Sequence, residues 1–221
     1  ALEADASRVV KAAGGTVVGG VRTPLNTSDF SSFLLQAQSS KAQVLALANA
    51  GGDFINSVKS AKEFGITKNM KMTGLLVFIT DIHSLGLKNT EGLLLTTSWD
   101  WNLNDQTRAF GKKFFEKTKR MPTDIQAADY SATMTYLKAV QAAKTVDADT
   151  VMAQMKKTPI NDFYAKGVIR PDGRMVHDMY LMQVKSQAES TQPWDYYKLV
   201  TKLPGDQVYT SKADSKCALW K

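Results

Sequence analysis

The sequence has only one cysteine, Cys217, and only two histidines, His83 and His177, among its 221 residues. A lone thiol forms neither an internal disulfide nor a metal site, so Cys217 is either free or paired with something outside this chain. The histidines are 94 residues apart and have no cysteine or acidic cluster at ligand spacing, which argues against a zinc site. We therefore expect no metal, and we interpret each histidine as a surface or hydrogen-bonded structural residue.

Motifs for nucleotide binding and catalysis are also absent. The chain contains no GxGxxG or GxxxxGK[ST] phosphate-binding pattern, no GxSxG nucleophile turn and no HExxH zinc pattern. No serine or threonine has a base at a recognisable spacing, and helix capping is the favoured interpretation of the acidic pair Asp147 and Asp149. We therefore expect neither an enzyme nor a cofactor.

Long hydrophobic runs are missing as well. No stretch of about 18 apolar residues occurs, so no membrane-spanning helix is predicted. The chain opens with ALEADASRVVKAAGG, which has helical spacing but not the basic and apolar segments of a secretion signal. An α/β protein does not normally open on a helix that lacks its preceding strand. We therefore expect that this start is a cut within a longer fold.

Positive charge exceeds negative charge, and the net charge is +7. The densest basic run, GKKFFEKTKR at residues 111–120, predicts the solvated face of a helix. The other face of that helix carries the apolar residues Ala109, Phe110, Phe114 and Phe115. No basic stretch has the interleaved aromatic residues or the recognition-helix pattern of a nucleic-acid-binding module, so we expect no nucleic-acid partner.

What the sequence does contain is an alternation of helical and strand patterns up to about Ser98. A first helix is predicted to end at Gly14 and Gly15. Strands are predicted at TVVGGV (residues 16–21), QVLALA, MKMTGLLVF and EGLLLTTSW, with helical patterns between them. This order predicts an α/β fold, a Rossmann-like three-layer sandwich with a mainly parallel sheet and helices on both faces.

The pattern changes after the fourth strand. Residues 103–157 are predicted to be helical almost throughout, and the middle helix is predicted to have one apolar face, formed by Tyr130, Met134, Leu137 and Val140. Short strands then return, two around a turn at residues 171–173 and one at DYYKLVTKL. A helical block between two sheet regions is typical of a chain that leaves one lobe, builds part of another and returns.

The most informative stretch is VLALANAGGDF, which predicts a strand, a glycine turn and a helix start. Ligands of open parallel sheets bind at the carboxyl ends of the strands. Gly51 and Gly52 let a ligand approach the backbone closely, and free N–H groups at a helix start favour an anion by about 0.3 to 1 kcal/mol. Asp53 argues in the other direction, because we expect its side chain to cap this helix and to occupy some of those donors.

Trp99 and Trp101 lie where the sheet pattern ends and the helical block begins. Only Asp100 separates them, in TTSWDWNLND. Two interpretations stay open, packing at this junction and the wall of a ligand cleft, because one tryptophan ring can do both.

Four stretches carry a resemblance to a known family in their joint order and spacing: SDFSSFLLQAQSSKAQVLALANAGGD, KEFGIT, MPTDIQAADYSATMTYLKAVQAA and GVIRPDGRMVHDMYLMQVK. Together they resemble the carboxyl-terminal two-thirds of a type I periplasmic binding protein of the leucine/isoleucine/valine-binding family, the solute receptors of ABC transporters. The resemblance covers essentially the whole chain. It implies two Rossmann-like lobes joined by three strands, with a ligand held between the lobes.

The resemblance also implies how the chain divides. Residues 1–98 and 172–221 would belong to the second lobe. Residues 103–165 would be the helical part of a first lobe whose sheet lies outside this chain, so the pair of lobes is incomplete. Ser98, Asp100 and Trp101 would form a hinge at a crossing between the lobes. The part outside the chain could also supply a partner for Cys217.

The implied ligand site follows the ends of two strands. Its residues would be Asn49, Ala50, Gly51, Asp53, Leu75, Val77, Phe78 and Trp99. Amino-acid-binding members carry an acid after the second of these strands, which pairs with the α-ammonium group of the ligand, whereas this chain has no acid there before Asp81. Burying an unpaired ammonium group would cost several kcal/mol. We therefore expect a carboxylate without an α-amino group, such as an aromatic, keto or short fatty acid, in preference to an amino acid.

The function that the resemblance implies is that of an extracytoplasmic solute receptor. Such a protein is periplasmic after removal of its signal, is monomeric when complete, and delivers its small-molecule ligand to an ABC permease in the membrane. The alternative is a ligand-sensing domain of the same fold in a receptor or regulator. Because one lobe covers only part of a ligand, we expect the 221-residue chain alone to bind weakly or not at all.

Overall fold

The computed structural model describes residues 1–220, which divide into two units. Unit 1 comprises Ala1–Thr96 and Met182–Leu199, and unit 2 comprises Thr97–Leu181 and the chain from Val200 onward. The chain therefore passes from one unit to the other at three points.

The elements alternate much as the sequence predicts. The helices are α1 (Leu2–Ala12), α2 (Ser31–Ser39), α3 (Gly51–Glu63), α4 (Ile79–Leu85), α5 (Leu87–Thr90), α6 (Asp105–Thr118), α7 (Asp124–Ala143), α8 (Ala148–Lys157) and α9 (Gly205–Val208). The strands are β1 (Val44–Leu47), β2 (Lys71–Gly74), β3 (Leu94–Thr97), β4 (Ile160–Asn161), β5 (Lys166–Ile169), β6 (Met175–His177), β7 (Met179–Val184) and β8 (Tyr197–Leu203). Among these helices none is long and apolar enough to cross a membrane.

The sheet of unit 1 is parallel where the strand–helix alternation predicts it. β1 pairs with β2 and β2 pairs with β3, both in parallel. The parts of β7 and β8 that belong to this unit complete the strand order β1, β2, β3, β7, β8. The mainly parallel α/β sheet predicted from the sequence is thus confirmed.

Helix α3 covers this sheet with one apolar face. Phe54, Val58 and Ala61 recur at helical spacing and are fully buried. The helix approaches β2 closely because Gly74 has no side chain: a Cβ there would lie 2.1 Å from Val77 Cγ2 and 2.9 Å from the Phe54 ring. The last residue of β2 therefore has to be a glycine for this packing.

The strand predicted at residues 16–21 is wrong. The segment forms no ladder, and Val17, Val18 and Val21 are exposed. The residue that follows this segment, Arg22, forms an ion pair with Glu3 of α1 at 3.3 Å. A β-branched run becomes a strand only when another strand satisfies its N–H and C=O groups. No strand pairs with this segment within residues 1–220.

Unit 2 begins with three helices whose starts are capped by local side chains. The side chains of Asn104, Thr123 and Asp147 accept hydrogen bonds from backbone N–H groups in the first turns of α6, α7 and α8. The capping interpretation of Asp147 is thus confirmed. β5 and β6 are antiparallel around the predicted turn at residues 171–173, and β4 joins the other edge of β5.

The apolar face predicted for α7 is partly exposed. Tyr130 is 54% exposed and Leu137 is 51% exposed, whereas Ala127 and Ala139 are buried. α7 packs against α8. The ring of Tyr130 contacts that of Phe110, so the apolar face is covered only in part within the residues described.

The carboxyl-terminal segment belongs to unit 2 through contacts with β6. Lys202 pairs with Asp178 at 2.6 Å, and Asp178 also accepts a hydrogen bond from Gly205 N at 3.0 Å. Gly205 lies so close that a Cβ would be 2.8 Å from the His177 carbonyl oxygen. The division therefore differs from the implied one, since residues 172–181 and the chain from Val200 onward group with the helices of unit 2.

Candidate ligand-binding site

Two loops of unit 1 leave the sheet at the same edge. β1 ends at Leu47 and leads through Asn49 and Ala50 into α3, and β2 ends at Gly74 and leads into α4. Because these strands are parallel, their carboxyl ends share one edge of the sheet, which is where open α/β sheets bind ligands. The structure thus brings together seven of the residues predicted from the sequence, namely Asn49, Ala50, Gly51, Asp53, Leu75, Val77 and Phe78.

The start of α3 has no side-chain cap. Ala50 is the N-cap residue, and no side chain accepts a hydrogen bond from the first turn. The prediction that Asp53 caps this helix is wrong, because its Oδ2 accepts a hydrogen bond from Asn26 N at 3.2 Å. The cause is tertiary, since Asn26 is 27 residues away in the chain. The amide donors of the first turn consequently remain available to an anion.

The two glycines leave open space in front of these donors. Gly51 has a φ of 56°, a left-handed conformation that favours glycine. A Cβ added at Gly51 or at Gly52 would meet no atom within 4 Å. A small ligand can therefore approach the backbone here without displacing any part of unit 1.

Asn49 is tied to the second turn of the same helix. Its Nδ2 donates to Ser57 Oγ at 2.8 Å, and Ser57 Oγ donates to the Asp53 carbonyl at 2.7 Å. Ser57 is almost completely buried, and the sequence reasoning missed it. The available signal was a serine on the buried face of an otherwise apolar helix, four residues after Asp53.

The second loop contributes apolar surface and one buried acid. Leu75 and Phe78 are partly exposed and Leu76 is more so, whereas Val77 is buried against Gly74 and faces the interior of unit 1. The Asp81 carboxylate accepts a hydrogen bond from Phe78 N at 3.0 Å, at the start of α4. Burial raises the pKa of Asp81, and the bond from Phe78 lowers it in part. Asp81 therefore stabilises the turn into α4.

The remaining predicted residues belong to unit 2. Trp99 is only 2% exposed; its Nε1 donates to the Phe163 carbonyl at 3.1 Å, and its ring meets Phe110 edge-to-face. Trp101 is buried too, and a Cβ at Gly111 would lie 3.0 Å from Trp101 Cβ. Both tryptophans are therefore packed within unit 2, and the cleft-wall interpretation stays a prediction.

The three predicted hinge residues directly follow the first boundary between the units. Ser98 Oγ donates to Asp124 Oδ2 at 3.0 Å, and Asp100 Oδ1 accepts from Asn102 N at 2.9 Å. Burial also raises the pKa of Tyr164 in this unit to about 12. Local hydrogen bonds therefore hold Ser98 and Asp100 within unit 2.

Residues 1–220 were predicted to hold no metal site, and their two histidines and one surface depression lie outside this edge of the sheet. No group of three or more histidine, cysteine or acidic side chains is placed to hold a metal ion in that range. A depression of about 620 Å³ lies in unit 1 at the amino ends of the strands, lined by residues that include Lys62, Lys68, Lys71 and Glu91. Each histidine is hydrogen-bonded as predicted, His83 to the Tyr196 hydroxyl at 2.7 Å and His177 to the Asp178 carbonyl at 2.8 Å.

The chain matches a known protein family. A family model described as periplasmic binding protein matches residues 1–189. The chain belongs to this family. The resemblance inferred from the four sequence stretches is thereby confirmed, and the family is one of binding proteins and not of enzymes.

Solved structures place this periplasmic binding protein among close relatives. A periplasmic binding protein from Burkholderia mallei is 62% identical with a TM-score of 0.97, and the match covers 100% of this chain and 59% of that one. A branched chain amino acid ABC transporter periplasmic ligand-binding protein from Burkholderia xenovorans is 41% identical with a TM-score of 0.90, covering 99% and 59%. The chain thus spans 59% of the length of either structure. A search of curated proteins finds no match.

A more distant neighbour shares the fold. It is an ABC transporter solute binding protein from R. palustris in complex with 4-hydroxybenzoate, 21% identical with a TM-score of 0.79, covering 92% of this chain and 56% of that one.

Proposed function

We propose that this periplasmic binding protein is the solute receptor of an ABC transporter and binds a small organic carboxylate at the carboxyl ends of β1 and β2. The observation that carries the proposal is the uncapped start of α3, faced by the open space at Gly51 and Gly52. Helix N-termini bind carboxylates through free N–H groups and the helix dipole. Asn49, Ala50 and Asp53 complete this loop, with the Asp53 carboxylate bonded to Asn26.

The apolar part of the ligand would contact the second loop. Leu75, Leu76 and Phe78 offer partly exposed apolar surface, and Val77 supports them from inside. Unit 1 therefore supplies donors for an acid group beside a surface for hydrocarbon.

The ligand is proposed to lack an α-ammonium group. The first acid after β2 is Asp81, which is buried and bonded to Phe78 N at the start of α4. An ammonium group on this face would lose water without gaining a paired carboxylate. Aromatic, keto and short fatty acids fit better, and the neighbour with 4-hydroxybenzoate supports an aromatic acid as one member of the set.

Calorimetry on the complete encoded protein tests the ligand class. A matched pair, leucine and 4-methyl-2-oxopentanoate, has the same carbon skeleton and differs only in the amino and oxo groups. We expect the oxo acid, or 4-hydroxybenzoate or octanoate from the same panel, to bind at least about tenfold more tightly than leucine. Tighter binding of leucine would contradict the proposed class.

The transporter role also implies a location and a partner. We propose that the protein acts in the periplasm and delivers its ligand to a membrane permease, as the name of the 41% identical relative supports. The alternative, a sensing domain of the same fold, would be attached to a transmembrane or DNA-binding segment. Fractionation of cells that produce the complete protein distinguishes the two, because a receptor for transport is released with the periplasmic proteins.

The exposed stripe of α7 supports a proposal about the helical part of unit 2. We infer that residues 103–165 belong to a lobe whose sheet is supplied from outside the 221 residues. Ser98, Asp100 and Trp101 would then lie at a hinge, immediately after the boundary at Thr96. The unfolding free energy of a Leu137→Ala variant, in the 221-residue chain and in the complete protein, tests this assignment.

A further inference from the structure

The start of α3 is flanked by two side chains that commonly cap helices, and each is bonded elsewhere. Asn49 directly precedes the N-cap residue, and Asp53 is the third residue of the helix. Asparagine and aspartate are among the best capping residues, since their oxygens accept hydrogen bonds from the first-turn N–H groups. Neither forms such a bond here.

Asp53 is turned away by a loop from earlier in the chain. Its Oδ2 accepts from Asn26 N, and Asn26 has a φ of 61°, so the backbone bends sharply there. The same loop is attached to α3 a second time, through a bond from Asn56 Nδ2 to the Thr27 carbonyl at 3.3 Å. This double attachment holds the Asp53 carboxylate on the loop side of the helix.

Asn49 is turned away by Ser57. The Ser57 hydroxyl has one proton, which it donates to the Asp53 carbonyl, so towards Asn49 it can only accept. Asn49 must therefore donate to Ser57 through Nδ2, and the Oδ1 atom of Asn49 does not take part in this bond. That oxygen is buried and has no hydrogen-bond partner within residues 1–220. A buried acceptor without a partner destabilises the fold, so its retention beside an uncapped helix requires an explanation.

We propose that Ser57 is a positioning residue, which keeps the Asn49 oxygen away from the first turn of α3 and so leaves the N–H groups of that turn free for the ligand's carboxylate. This inference rests on the proposed function, because it assumes that an acid binds at this helix start. Ser57 itself does not contact the ligand. Its effect is on the capping group, which would otherwise compete with the ligand for the same donors.

A double-mutant cycle on the complete protein tests the inference. The probes are the tightest binder among 4-methyl-2-oxopentanoate, 4-hydroxybenzoate and octanoate, and the neutral amide of the same compound. Ser57→Ala frees Asn49 to cap the helix, and we expect carboxylate affinity to fall about fivefold, the equivalent of one capping bond. Affinity for the amide should fall by less, because the helix start favours the anion.

Asn49→Ala is the matched control, because alanine cannot cap. We expect Ser57→Ala to cause no further loss of carboxylate affinity in the Asn49→Ala background. Equal losses from Ser57→Ala with and without Asn49 would overturn the inference, since they would indicate a distorted helix.

A crystal structure of the Ser57→Ala variant separates the inference from the proposed function. If the wild type bound none of the acids, the proposed function would fail. The position of the Asn49 side chain in the variant structure would still show whether Ser57 holds it away from the helix start. Asn49 Oδ1 within about 3 Å of the N–H of Gly52 or Asp53 supports the role of Ser57. An Asn49 side chain that stays in place overturns it.

Discussion

Gly52 separates a role in ligand access from a role in folding. A Cβ at this position would meet no atom of the chain within 4 Å, so alanine fits the fold. We expect Gly52→Ala to leave the free energy of unfolding unchanged or to raise it by up to about 1 kcal/mol, because alanine loses less backbone entropy in a helix. Ligand affinity should fall about tenfold or more, because the methyl group occupies the space before the free N–H groups.

Gly19→Ala is the control for this substitution, since a Cβ there also meets no atom within 4 Å and the residue lies outside the site. Thermal unfolding and calorimetry on the complete protein measure both effects. Equal affinities for Gly52→Ala and Gly19→Ala would refute the role of the glycine turn.

His177 gives unit 2 a dependence on pH. Its ring is buried between Tyr164 and Tyr209, and burial lowers its pKa, against a smaller opposing effect of its bond to the Asp178 carbonyl. In the window just below the ordinary histidine pKa of about 6.5, the unfolded chain therefore binds more protons than the folded chain. Stability must fall as the pH falls through this window, with a slope of at most about 1.4 kcal/mol per pH unit from this one group.

Chemical denaturation of the wild type and of His177→Gln between pH 7.5 and 5 measures this contribution. We expect the variant to lose part of the slope, because glutamine does not titrate. A variant with the same slope as the wild type would show that His177 does not cause it.

At the scale of elements, α7 shows where periodicity is informative and where it is not. The 3.6-residue repeat correctly predicts a helix, and Thr123 caps it locally. It does not tell which stripe is buried, because that depends on neighbours. Here the small residues Ala127 and Ala139 are buried, and Leu137 stays 51% exposed. Residues 16–21 show the same limit for strands. Their β-branched pattern predicts a strand, but no strand within residues 1–220 pairs with them.

Leu137 tests whether another part of the protein covers α7. In the 221-residue chain we expect Leu137→Ala to cost less than about 1 kcal/mol of unfolding free energy, because the side chain is half exposed. In the complete protein the same change should cost about 2 to 5 kcal/mol if a sheet packs on this stripe. Equal, small costs in both would contradict the proposed lobe assignment. Ala127→Leu is the positive control, because a larger side chain at a fully buried position destabilises both forms.

At the scale of the whole molecule, the chain covers only part of a receptor of its family. It spans 59% of the length of its 62% identical relative. Binding sites for small molecules cover about 70 to 90% of the ligand surface, and in the proposed site the loops after β1 and β2 provide only one side. We therefore expect the 221-residue chain to bind the preferred acid at least about tenfold more weakly than the complete protein. Parallel calorimetric titrations check this, and equal affinities would show that the described face is sufficient by itself.

Local interactions explain what the sequence by itself determined. Strand, turn and helix follow one another in the predicted order because apolar spacing, glycine stops and a cap such as Asp147 act within a few residues. The glycine turn between β1 and α3 was predictable for that reason, and so was the parallel sheet, because strand–helix alternation requires crossovers. Family membership followed from the joint order of these local patterns.

Only the tertiary structure decided which groups at the turn are free. Asp53 has the sequence context of a cap, but a backbone N–H 27 residues away takes its carboxylate, and Ser57 takes the amide of Asn49. Trp99 is likewise committed to the core of unit 2 by Phe110 and Phe163, which lie 11 and 64 residues further along the chain. A hydrogen-bonding or aromatic side chain interacts with a partner that the folded chain brings within about 3 to 6 Å. The number of residues between two positions in the sequence does not determine their distance in space.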